Sequence, residues 1–246
     1  GWHVYWRNPG DSGMAPSLRW TLPEGLAVRS IRWPRPMVFA TEDETTYGYE
    51  REVGLVVEVE AAAEAKAGVS EGSVRGEWMV CKELCQIGGG TVRFQVEVLA
   101  AGDPAAEGIS IRAGEAVLPR DPVVRRWFGR LPLPAPGGIG IESTIVGDPG
   151  SGAFRLLLTG PSGTFERVGF IPDSTPGTTC GTGHPVSGAI DNGRFRVEVP
   201  VEVRPQDAVG ERLRLAGLLV LGEKSDDPAF EIEVSIPVTP SPSGKQ

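Results

Sequence analysis

The sequence predicts an all-β, antiparallel chain, and three observations predict it. Apolar and polar residues alternate with period two at 51–60, 91–99, 194–203 and 230–238, the signature of strands with one face buried. Turn-forming clusters fall between such runs: Asn8-Pro9-Gly10-Asp11-Ser12-Gly13, Leu22-Pro23-Glu24-Gly25, Gly88-Gly89-Gly90 and Asp191-Asn192-Gly193. The last is a strong hairpin signal, because Asn and Gly tolerate positive φ. Third, 34 Gly and 22 Pro in 246 residues suit many short strands and disfavour long helices. Only 61–67 and 109–117 stand as short helix candidates, neither with a sustained helical stripe.

A chain this long exceeds the usual single domain, so two domains are expected. Between 118 and 140, Pro119, Pro122, Pro132, Pro134 and Pro136 interrupt regular structure ahead of Gly137 and Gly138. That stretch marks the boundary, giving domains over 1–122 and 123–240. The tail, 239–246, is Pro, Ser and Gly with Lys245, and reads as a linker or a frayed end, with 241–246 leading to a further domain. No short-period repeat is present, which argues against solenoids and propellers.

The net charge of −8 gives no basis for nucleic acid or an anionic membrane as partner, since both require clustered Lys and Arg. The longest apolar stretch, 213–221, is far short of the roughly 20 residues of a membrane helix and is interrupted by Arg214. Residues 1–6 open in strand-like sequence with no leader, so the expectation is a cytosolic chain or one whose targeting segment has been removed. Three cysteines are too few for a disulfide-built scaffold and leave at least one thiol without an internal partner.

Two of those cysteines lie in Cys81-Lys82-Glu83-Leu84-Cys85, directly after the strand-like Trp78-Met79-Val80. A tight connection returning the chain can bring the two Cα atoms within the roughly 4.4–6.8 Å that a disulfide needs. Closing so short a loop removes little entropy from the unfolded chain, so redox chemistry is favoured over scaffolding. A small disulfide pinning a hairpin is the alternative. Lys82 favours a thiolate at Cys81 and Glu83 opposes it, so the sequence leaves open which thiol is activated.

The pair does not stand alone. Trp2-His3-Val4-Tyr5-Trp6-Arg7-Asn8-Pro9-Gly10-Asp11-Ser12-Gly13, Leu22-Pro23-Glu24-Gly25, Ile31-Arg32-Trp33-Pro34, Tyr47-Gly48-Tyr49-Glu50 and Trp78-Met79-Val80-Cys81-Lys82-Glu83-Leu84-Cys85 together resemble the amino-terminal periplasmic region of the DsbD/ScsB family of thiol:disulfide interchange proteins, the ScsB branch best. The resemblance covers roughly residues 1–120. It implies two tandem immunoglobulin-like β-sandwiches, forming a periplasmic domain of an inner-membrane protein. It further implies a protein-disulfide reductase activity: a membrane-embedded domain of the same protein reduces Cys81 and Cys85, and these reduce a periplasmic thioredoxin-fold partner of ScsC or DsbC type. By motif position Cys85 corresponds to the partner-attacking cysteine and Cys81 to the resolving one, although the three residues between them are fewer than in the DsbD branch. No cofactor beyond the redox-active disulfide is implied. A cap loop shielding the sulfurs is also implied, with Phe39, Glu42, Tyr47, Tyr49 and Lys82 as candidate surroundings; the plainer reading of Tyr47 and Tyr49 is that they cover one face of a sheet.

Plainer readings suffice elsewhere. Cys180 and His184 could complete a Cys3His zinc site with the pair, but they lie about a hundred residues away in the other domain, and no metal site is expected. His3, in a strand-like run, reads as a structural histidine. Trp2, Trp6, Trp20 and Trp33 read as core rather than as a sugar-stacking face. With two histidines, neither in a nucleophile motif, hydrolase chemistry has little support, and no Gly-Lys-Ser/Thr follows the glycine-rich turns to suggest a nucleotide site. The alternative to a redox module is a non-catalytic binding module with a structural disulfide.

Overall fold

The computed structural model describes residues 1–100, 111–112, 115–116, 121–134, 140–173, 178–180, 185–203 and 212–237. The chain forms two compact units: Gly1–Trp6, Gly13–Pro36 and Gly48–Leu131 in the first; Arg7–Ser12, Met37–Tyr47 and the chain from Pro132 onward in the second. Among the described residues the chain is all-β apart from one short α-helix and a 3-10 turn, as the period-two runs predict.

The amino-terminal strands are β1 (His3–Gly10), β2 (Ser17–Thr21), β3 (Leu26–Arg32), β4 (Met37–Ala40), β5 (Thr45–Glu50), β6 (Val56–Ala61), β7 (Gly68–Cys81) and β8 (Cys85–Val98). Six of them form one sheet in the order β2-β7-β1-β5-β4, with β8 also paired to β7; β3 and β6 make a separate antiparallel pair. Along one edge β7 pairs with β2 over 73–77 and then with β1 at 80–81; along the other it pairs with β8 over its whole length. Trp6 and Tyr47 are fully buried, and Tyr5, Trp33 and Tyr49 nearly so. Trp20 is half-buried with its ring 6.1 Å from that of Phe94. The core reading of the tryptophans fails for Trp2 alone among these four, which is 46% exposed.

Several sequence expectations are corrected here. Gly88-Gly89-Gly90 is not a turn but the interior of β8, opposite Trp78, Glu77 and Gly76. Trp78 explains the composition: a Cβ on Gly88 would lie 2.7 Å from the indole Nε1, so the ring rests where side chains would stand. The strand read over 51–60 begins only at Val56, because Arg51 adopts a φ of 64° and ends the preceding strand. No helix forms at 61–67, where a turn after β6 is closed by Ala62 N–H to the Gly25 carbonyl (2.8 Å) and Ala65 N–H to the Ala62 carbonyl (3.0 Å). Within 109–117 the described residues are two short paired strands, β9 (Ile111–Arg112) and β10 (Glu115–Ala116).

The α-helix, α1 (Pro122–Phe128), stands inside the proline-rich stretch expected to lack regular structure. Proline is tolerated in the first helical turn, where its missing N–H would have no partner. Asp121 caps the helix, its carboxylate accepting from the Val123 and Val124 amides at 2.8 and 3.1 Å. Trp127 is buried, and a Cβ on Gly54 would collide with its ring.

The second unit is a β-sandwich of two five-stranded sheets. After β11 (Leu133–Pro134) come β12 (Glu142–Val146), β13 (Ala153–Pro161), β14 (Val168–Pro172), β15 (Thr178–Cys180), β16 (Val186–Ser187), β17 (Ala189–Asp191), β18 (Arg194–Val203), β19 (Arg212–Leu221) and β20 (Ala229–Pro237). One sheet runs β11-β20-β19-β14-β16, the other β12-β13-β18-β15 with β17 also on β18. Alternation is nearly strict on β13 and β18, whose inward Phe154, Leu156, Leu158, Phe195, Val197, Val199 and Val201 meet Phe170, Leu215, Leu219, Phe230 and Ile236 from the facing sheet. Each such side chain stabilises by about 1.5–3 kcal/mol on burial. Asn192 and Gly193, at φ 49° and 73°, make the expected hairpin turn between β17 and β18.

Candidate functional site

The β7–β8 hairpin is long and in continuous register from Gly68↔Val98 to Cys81↔Cys85, so its tip is fixed by the pairing behind it. Lys82, Glu83 and Leu84 form the loop, with Lys82 N–H reaching the Leu84 carbonyl at 3.4 Å. Cys81 and Cys85 face each other across the strands with Cα atoms 4.1 Å apart and are joined by a disulfide. That spacing is just under the range anticipated from sequence.

The two sulfur-bearing residues differ in environment. Cys81 lies on β7, flanked by β1 and β8, and is 5% exposed; Cys85 starts β8 and is exposed. Around Cys85 stand Leu84 and Ile87, 77% and 74% exposed. Lys82 is exposed, and its ammonium lies 4.0 Å from the still more exposed Glu83 carboxylate, a contact of little energetic weight. Sequence reading singled out neither Leu84 nor Ile87; their apolar character beside a cysteine was the available signal.

On the other side of Cys81, β1 places His3 directly opposite it in register. His3, Cys81 and Cys85 therefore form one row across three strands, with side chains on one face of the sheet. The His3 ring packs edge-on against Tyr5, centroids 5.1 Å apart at 76°. Tyr5 is itself 3% exposed and abuts Gly13, whose φ of 91° suits glycine and whose Cβ, were there one, would enter the phenol ring.

The candidate cap residues occupy varied settings. Phe39 is half-buried on β4, and Glu42 is exposed in the turn held by Thr41 N–H to the Glu44 carbonyl (2.9 Å). Tyr47 is fully buried on β5, and burial, with a smaller contribution from the negative charge of Asp11, pushes its hydroxyl pKa far up. Tyr49, also on β5, donates its hydroxyl to the Pro34 carbonyl at 2.7 Å. Lys82 alone of these shares the hairpin tip with the cysteines.

Cys180 lies on β15, whose backbone pairs with β18, and His184 falls outside the described residues. Among the described residues no group of three or more His, Cys, Asp or Glu is arranged to hold a metal ion. Nor is any helix among them long and apolar enough to cross a membrane.

Residues 1–96 match the family model for the amino-terminal part of the thiol:disulfide interchange protein DsbD. Among solved structures, the chain resembles the N-terminal periplasmic domain of ScsB from Proteus mirabilis, with a TM-score of 0.56 and 18% identity over 97% of this chain and 84% of that one. At that identity the likeness is one of fold. No curated protein matches the chain. The family model thus matches the stretch that carries the motifs and spans the bonded cysteine pair, and the fold resembles that of the ScsB domain.

Proposed function

We propose that this chain is a periplasmic thiol:disulfide interchange module, a protein-disulfide reductase built as two tandem immunoglobulin-like sandwiches. The observation that carries the reading is a disulfide at the tip of a rigid hairpin, one sulfur-bearing residue exposed and the other buried, within the segment matched by the family model.

Exposure supports the division of labour. A donor thiolate from the membrane-embedded domain attacks Cys85 Sγ; the Cys81–Cys85 bond breaks and Cys81 departs as a thiolate. A second donor thiolate then attacks that mixed disulfide, leaving Cys85 reduced and the donor oxidised. In the outward half-reaction the Cys85 thiolate attacks the disulfide of a thioredoxin-fold partner of ScsC or DsbC type, releasing one partner thiolate. Cys81 then attacks Cys85 Sγ, re-forming the internal disulfide and releasing the partner as a dithiol. Two electrons move and no cofactor takes part. Of the candidate surroundings, Lys82 is the one that this reading keeps beside the dithiol, at the hairpin tip.

The test is the reduction potential of the pair, with the free thiols counted by mass after equilibration in graded thiol buffers. We expect a value above about −300 mV, within reach of thioredoxin-like partners. A potential well below that, with normal behaviour after both cysteines become serine, marks a structural staple and overturns the proposal. Cys81→Ser should leave Cys85 able to trap a thioredoxin-fold partner as a mixed disulfide, and Cys85→Ser should abolish electron delivery.

A further inference from the structure

The exchange described above needs a proton acceptor at its second outward step. Cys81 is buried, and as a neutral thiol it is a poor nucleophile toward the mixed disulfide at Cys85. Burial in apolar surroundings raises a thiol pKa, so without help Cys81 would hold its proton at neutral pH. Its own loop offers Lys82, but that side chain is exposed and sits beside Glu83, which cancels much of its field.

His3 answers the need by its position. It is the cross-strand neighbour of Cys81, on the same face, and paired residues of this kind have Cβ atoms about 4.5–5.5 Å apart. That spacing suits an imidazole and a thiol in direct contact. The ring is half-buried and held by Tyr5, which is in turn fixed by Gly13, so the imidazole is preorganised rather than free to leave. Sequence distance hid the pairing, since 78 positions separate the two residues and only the β1–β7 register joins them.

We propose that His3 is the proton acceptor for Cys81, so that the site works as a buried Cys–His couple feeding an exposed cysteine. This rests on the interchange reading of the pair. In the resolving step the Cys81 S–H proton passes to the neutral His3 imidazole. The resulting thiolate attacks Cys85 Sγ, the Cys81–Cys85 bond forms, and the Cys85–partner bond breaks with its electron pair going to the partner sulfur. The imidazolium then returns its proton to that leaving thiolate or to water. In the opposite direction, when a donor thiolate attacks Cys85, protonated His3 stabilises Cys81 as the leaving thiolate. The other titratable or charged groups on the elements around His3 are Tyr5 and Arg7 on β1; Tyr47, Tyr49 and Glu50 on β5, the last 3.1 Å from the Gly1 amino group; Glu71, Arg75 and Glu77 on β7; and Lys82 and Glu83 in the loop. Among the side chains in the His3–Cys81–Cys85 row, His3 alone can accept a proton near pH 7 without itself being a thiol.

The experiment titrates Cys81 as the sole cysteine, in a Cys85→Ser, Cys180→Ser background, by its ultraviolet thiolate absorbance. His3→Gln and His3→Phe, the second keeping an aromatic ring against Tyr5, should each raise the Cys81 pKa by about one unit or more, cutting the thiolate at neutral pH by about tenfold. The same changes should leave Cys85 unmoved in a Cys81→Ser, Cys180→Ser background. An unaltered Cys81 titration, or an equal shift at both cysteines, overturns the proposal. Should the His3 variants fail to fold, proton NMR of the His3 ring decides in an otherwise unaltered chain carrying His184→Gln. Its titration midpoint should be higher in the dithiol than in the disulfide state, and identical midpoints overturn the proposal. The two readings fail separately: a His3–Cys81 coupling found together with a potential far below −300 mV sinks the interchange function but upholds the couple, while a suitable potential without coupling does the reverse.

Discussion

At the scale of single residues, the surroundings of the cysteines are set by close packing that tolerates little change. Gly13 is the sharpest case, because both its φ of 91° and the Tyr5 ring exclude a side chain. Gly13→Ala should cost about 1–3 kcal/mol from backbone strain before the clash is added. Chemical denaturation will check this, and a loss under 0.5 kcal/mol would mean that Tyr5 is not held as described. Tyr47 gives a second residue-scale expectation. Its pKa is raised in the folded protein by burial and by Asp11, so the stabilisation due to its neutral hydroxyl is complete below the unfolded value of about 10 and is lost as pH rises past it. Stability should therefore fall above pH 10 with a steeper slope in the native chain than in Tyr47→Phe, as read from melting temperature against pH.

At the scale of elements, the informative contrast is between what local sequence specifies and what partners impose. The hairpin turn at Asn192-Gly193 and the strand at 194–203 were legible, because turn chemistry and alternation are local properties. Gly88-Gly89-Gly90 was misread for the same reason: its strand character comes from Trp78 on the neighbouring strand, not from its own residues. The cysteine pair was legible from spacing alone, whereas the place of His3 opposite Cys81 required the β1–β7 register. Helix α1 was missed because proline was taken as a breaker when it stands in the first turn behind an Asp cap. That cap can be weighed directly. Asp121→Ala should cost about 1 kcal/mol, and Asp121→Asn much less, since asparagine also caps well. Trp127 emission should report the difference, because the helix carries that ring into the first unit's interior.

At the scale of the whole molecule, the question is how distant stretches of sequence are made to meet. Within the second unit, Arg7–Ser12 is held by residues far along the chain: the Asn8 side-chain amide donates to the Pro172 carbonyl at 2.7 Å, and Arg7 pairs with Asp173 at 3.0 Å. Asn8 serves two purposes at once, because its Oδ1 also accepts from the Gly10 amide at 3.1 Å. The amide side chain supplies the donor and the acceptor on separate atoms, its NH2 and its carbonyl oxygen. Asn8→Asp therefore separates the two roles: the Gly10 contact survives, but a carboxylate oxygen now faces the Pro172 carbonyl with no proton between them. The loss should be about 1–3 kcal/mol at pH 7, the range for a partly buried polar group left facing an acceptor. It should also depend on pH with a definite sign. The new carboxyl is better protonated in the folded state, where its O–H can donate to Pro172, so its folded pKa is raised; the variant recovers stability relative to the native chain as pH falls toward 4 and loses it again as pH rises. Melting both proteins across that interval measures the difference, and a gap independent of pH would show that the Asn8 donor does not hold the ends of this long connection together.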